Sequence, residues 1–103
     1  MQVFQQGDVV FLKVEGIPAS AKQEKFDGIV QYGEATGHKH KLTGKEKDMF
    51  QFFEEGRRYL SLKKPSALKH EEHNTIEIPA GDYEIRIVRE LDWFSDLERA
   101  VVD

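Results

Sequence analysis

The chain of 103 residues contains no cysteine. Disulfides, thiolate metal sites and iron–sulfur clusters are therefore excluded, and any metal must be held by nitrogen and oxygen. Long apolar runs are also missing. Nothing approaches the roughly 20 residues a membrane helix needs, so no membrane association is expected. The opening MQVFQQGDVV is neutral, short and alternating, unlike a secretory leader, and a cytoplasmic protein is the expectation. There is no glycine-rich phosphate loop and no nucleophile elbow. Internal repeats, low-complexity tracts and the long 3.6-residue periodicity of an amphipathic helix are likewise absent.

Positive charge is not in excess either. The formal net charge is −4, which disfavours bulk electrostatic binding to nucleic acid. The charge is unevenly spread: residues 35–69 carry nine Lys/Arg against four Asp/Glu, and residues 70–103 carry three against ten. Such blocks are usually solvated faces, or partners for one another in the fold.

What is present reads as short strands between turn signals. Val9 to Val14 is largely apolar on both alternating sets, as for a strand covered on both sides, and Gly7-Asp8 before it is a turn or bulge signal. Residues 20–27 read as a polar loop or one helical turn. Ile29 to Glu34 and His38 to Leu42 read as strands, and residues 43–48 as a charged hairpin connection. Met49 to Phe53 and Arg57 to Leu62 read as strands flanking a tight Glu54-Glu55-Gly56 turn. Ala67 to His73 is open between a helical turn capped by Ser66 and ended by a left-handed Asn74, and a strand that bends at its glutamates. Thr75 to Ile78 and Tyr83 to Ile87 read as strands, and Ser95-Asp96-Leu97-Glu98 has capping-box spacing. Phe50, Phe52, Phe53, Trp93 and Phe94 are expected in the core. Arg57 and Arg58 are expected on a solvated strand edge. The pattern predicts a small, all-β, antiparallel barrel or sandwich, with residues 1–103 as a single β domain.

All four histidines fall in two tight pairs: His38 and His40 in GHKH, and His70 and His73 in HEEH. On a strand, residues i and i+2 share a face, so His38 and His40 would present two imidazoles side by side, with Glu34 and Thr36 on the same face. His70 and His73 become neighbours on a bend. Glu71 and Glu72 lie between them, and either could complete a coordination sphere or act as a base. The expected site is therefore a divalent transition metal held by His38, His40, His70 and His73, assisted by Glu34 or Glu72. Zinc is the first choice, and nickel, iron, manganese and copper are compatible with the same donors. HEEH is not the HExxH of zinc peptidases, whose histidines are i and i+4 on a long helix.

QQGDVVFLKVEGIP, GEATGHKHKL and HEEHNTIEIPAGDYEIRIVRELD resemble a family of small uncharacterised bacterial and phage proteins with T-G-H-x-H and H-x-E-H elements. The resemblance puts Gly37, His38, His40, His70, Glu72 and His73 on the family's motif positions and implies no particular activity. GDVVFLKVEGIP is also similar to the start of co-chaperonin barrels, and HxH on a strand is similar to cupins. These likenesses imply a barrel. A metal-binding barrel of unknown substrate is the leading expectation. The alternative is a non-catalytic, phage-related interaction protein whose histidines stabilise the fold or a homo-oligomer interface.

Overall fold

The computed structural model describes residues 2–32 and 37–88. Its strands are β1 (Val3–Gln6), β2 (Val9–Val14), β3 (Lys22–Glu24), β4 (Ile29–Tyr32), β5 (Lys39–Leu42), β6 (Met49–Glu54), β7 (Arg57–Leu62), β8 (Ser66–Lys69), β9 (Ile76–Ile78) and β10 (Gly81–Ile87). They form two antiparallel sheets. One has six strands in the order β1-β2-β10-β7-β6-β3, and the other has four in the order β4-β5-β8-β9. The all-β expectation holds. The only helical element among the described residues is a 3-10 turn at Glu46–Asp48.

One core joins the sheets. Val9, Phe11, Leu60, Leu62 and Tyr83 from the six-stranded sheet pack with Val30, Leu42, Leu68 and Ile78 from the four-stranded sheet. Burying these side chains supplies the main favourable term for the fold. Tyr83 is fully buried between Phe4 and Phe11, both edge-on, and its hydroxyl donates to the Pro79 carbonyl at 2.7 Å. The pair of faces expected for β2 is also seen. Val9 and Phe11 enter the shared core, while Val10 and Leu12 pack with Val88 and Val3 on the other side.

Several local expectations are corrected. β1 is a strand, paired to β2 across a two-residue turn at Gly7-Asp8; its partly polar VFQQ sequence hides it. Residues 22–24 form an exposed edge strand rather than a loop or a helical turn. Residues 43–48 are not a hairpin connection, because β5 and β6 belong to different sheets and this segment carries the chain between them. Ser66 begins a strand rather than capping a helix, and Asn74 is not left-handed: the positive φ among described non-glycine residues belongs to Glu55. Phe50, Phe52 and Phe53 are half-buried and are not part of the core cluster. Trp93, Phe94 and the 95–98 segment lie outside the described residues.

Arg58 is the clearest departure. β7 is an interior strand between β10 and β6, so neither arginine guards an edge. The β4–β5 register slips between Ile29 and Gln31, leaving Val30 as a bulge. The Arg58 guanidinium donates to the Val30 carbonyl at 2.5 Å, to the Ile29 carbonyl at 3.4 Å and to Gln51 Oε1 at 3.0 Å. A bulge frees backbone acceptors from the ladder, and Arg58 reaches from the other sheet to satisfy them. Burial lowers its pKa from the usual arginine value.

Candidate functional site

The two histidine pairs meet because their strands pair. β5 and β8 are antiparallel neighbours, with Lys41 opposite Lys69 and Leu42 opposite Leu68. Continuing that register places His70 opposite His40, Glu71 opposite Lys39 and Glu72 opposite His38. Side-chain contacts follow the extension: Glu71 Oε2 accepts the Lys39 N–H at 3.0 Å, and His38 Nδ1 lies 3.4 Å from Glu72 Oε1. After Lys69 the chain bends over Glu71–His73, which turns His73 back toward the cluster.

His70 is the hub. Its ring centroid lies 4.3 Å from that of His40, 4.6 Å from His73 and 5.5 Å from His38. His40 and His73 are stacked at 5.9 Å. His38, His70 and Glu71 each offer a ligand atom, and those atoms all lie within 4.8 Å of one another. His38 and His70 are half-buried and Glu71 is exposed, so this triad opens to solvent. His40 is buried beside His70, and His73, itself exposed, flanks both rings. Glu72 reaches His38, while Glu34, the other carboxylate expected to assist, lies outside the described residues, as does Thr36.

Two residues carried no chemical signal in the sequence. Gln6 and Asp8 come from the six-stranded sheet, where the β1–β2 turn passes the histidines of the other sheet. The Gln6 amide donates to the Leu68 carbonyl at 2.8 Å and the Asn74 carbonyl at 2.9 Å. With both N–H groups committed, Gln6 Oε1 faces His40 Nδ1 at 2.8 Å and must accept its proton. The neutral His40 ring therefore keeps its lone pair on Nε2, which lies 3.4 Å from Asp8 Oδ1. Two acceptors face one another there, an arrangement that a proton or a cation between them relieves. Burial, followed by the neighbouring His70, lowers the His40 pKa from its ordinary value, so the proton is disfavoured; Asp8 opposes this. The only clue in the sequence was the Gly7-Asp8 turn signal.

Gly7 holds this arrangement at close quarters. Its φ is +59°, and a Cβ there would sit 2.7 Å from His73 Nε2 and 3.2 Å from His40 Cε1. Only glycine gives the turn its left-handed conformation and also leaves room for both rings. Exposed Glu71 has its pKa lowered, chiefly by the Lys39 N–H, and so stays a carboxylate. His70 Nδ1 accepts the Glu72 backbone N–H at 3.0 Å, which places the proton of its neutral ring on Nε2.

No helix among the described residues is long and apolar enough to cross a membrane. Comparison with curated proteins and with solved structures finds nothing similar to this chain. A family match does cover residues 5–88, which span both histidine pairs together with Gln6, Gly7 and Asp8, and on that match the chain belongs to the family described as Domain of unknown function (DUF8820).

Proposed function

We propose that this protein binds a divalent transition metal, zinc before the others, through His38, His70 and Glu71. The carrying observation is the convergence of three donor atoms, from residues flanking the ends of two paired strands, to within 4.8 Å. Two imidazoles and a carboxylate suit zinc, and three protein ligands leave at least one position for water or a ligand. Glu72 lies where it can orient His38, and the His40 and His73 rings lie against His70. The 3.4 Å separation of His40 Nε2 and Asp8 Oδ1 is about the spacing of two ligands on one tetrahedral zinc, so this pair is a second place for cation density.

The test is elemental analysis of protein purified without a histidine tag. About one equivalent of metal is expected in the wild type, and a large loss in His38→Ala and in His70→Ala. Trace metal in the wild type, or equal metal in all three proteins, overturns the proposal. Metal binding also has a local signature. Ligation of His70 at Nδ1 displaces the Glu72 N–H, and ligation at Nε2 moves the ring proton to Nδ1, opposite that N–H. Either way the Glu72 amide resonance shifts on titration.

A second reading has its own observation. His40 is 4% exposed and tied through Gln6 to the Leu68 and Asn74 carbonyls, so this histidine joins the two sheets whether or not a metal is bound.

A further inference from the structure

The outward face of the strands that carry the site holds an unexplained concentration of positive charge. Lys39 and Lys41 alternate with His40 on β5 and so point away from the core, and Lys69 does the same on β8. Lys41 and Lys69 are direct cross-strand partners. Like charges in that position are unfavourable to the sheet. Protection of a strand edge does not account for them, because β5 and β8 are both interior strands of the order β4-β5-β8-β9. Among the described residues, no carboxylate forms an ion pair with any of the three ammonium groups. These three lysines, together with His70 and Glu71, line a cleft of about 290 Å³. Two of its walls are thus residues of the proposed metal triad.

We propose that this cleft binds a phosphate-type oxyanion, as inorganic phosphate or as the phosphate group of a small molecule. Three lysines act as point charges that can surround an anion with charge on several oxygens, whereas a planar carboxylate is better matched by an arginine fork. The lysines stand without the metal. The further statement, that the anion also reaches the metal's open position, rests on the metal reading above.

The experiment is a titration of inorganic phosphate, followed by amide shifts, into wild type, the Lys41→Ala/Lys69→Ala double variant and His38→Ala. Each is measured with chelator and again with one equivalent of zinc, at constant ionic strength set with chloride. Saturable shifts at residues 39, 41 and 69–71 are expected in the wild type. Binding should weaken about tenfold in the lysine variant, as expected for losing two partly exposed charge contacts. Zinc should tighten phosphate binding in the wild type and not in His38→Ala. Shifts that do not saturate, or that persist unchanged in the lysine variant, overturn the cleft. Saturable binding lost with the lysines but indifferent to zinc, in a protein that takes up no zinc, removes the metal reading and leaves the anion site. Zinc uptake without phosphate shifts does the reverse. Repeating the titration with a phosphate monoester separates the two sources: tighter binding than inorganic phosphate assigns the cleft to a small organic phosphate, and equal or weaker binding assigns it to the free anion.

Discussion

At the residue scale, Gly7 and His40 carry the most specific consequences. Gly7→Ala must hold an alanine at φ +59° and push its methyl group into His73. The left-handed strain alone costs about 1–2 kcal/mol, and displacement of the ring adds to it. Urea unfolding should show that loss, whereas Gly16→Ala should cost little, because a Cβ at Gly16 meets nothing within 4 Å. His40 gives stability a pH dependence. Its folded pKa lies below the ordinary 6.5, so on acidification the unfolded chain takes up this proton before the folded protein does. Above that value both states are neutral and nothing is lost. Below it, stability falls by up to about 1.4 kcal/mol per pH unit, until the folded ring also protonates. With chelator present, the drop in urea midpoint between pH 7.5 and 5.5 should shrink in His40→Gln. An equal drop in both proteins would rule out His40 as the source.

At the scale of elements, Arg58 clamps the β4 bulge from the opposite sheet. Arg58→Met keeps much of the stem and leaves two carbonyls without their donor. A loss of about 2–3 kcal/mol is expected from the charge-assisted bonds, measurable by chemical denaturation. Arg57→Met next to it should change stability little, since Arg57 is exposed. Pattern and turn chemistry revealed most strands. Alternation marked β2 and β10, and Glu55-Gly56, with φ of 48° and 78°, is a left-handed two-residue turn of the type that suits a hairpin. β1 and β3 were not visible, because a strand whose neighbour supplies its hydrogen bonds can be polar along much of its length. The 66–73 segment was ambiguous for the reason that local preferences there are weak. Pairing of Ser66–Lys69 between β5 and β9 settled it as strand and bend.

At the scale of the whole molecule, the proposed metal joins His70 and Glu71, just after β8, to His38, just before β5. A ligand that binds only the folded state stabilises it by about 2.7 kcal/mol at a hundredfold excess over its Kd. For a domain of this size that corresponds to a rise of roughly 10–20 °C in Tm. Thermal unfolding with zinc and with chelator should show this difference in the wild type and lose it in His70→Ala. If the two wild-type curves coincide while zinc is demonstrably bound, the metal does not couple to folding.

The sequence by itself determined the all-β class, the exclusion of sulfur ligands and the identity of the histidine pairs, because these depend on composition and on short-range periodicity. It did not determine what those histidines touch. Gln6 and Asp8 lie more than thirty residues from His40 and come from the other sheet, and Glu71 shares the triad through the β5–β8 register. Strand partners are chosen by burial of a common core and by backbone pairing across the whole chain. No local pattern encodes that choice, so the environment of each histidine was decided only by the tertiary structure.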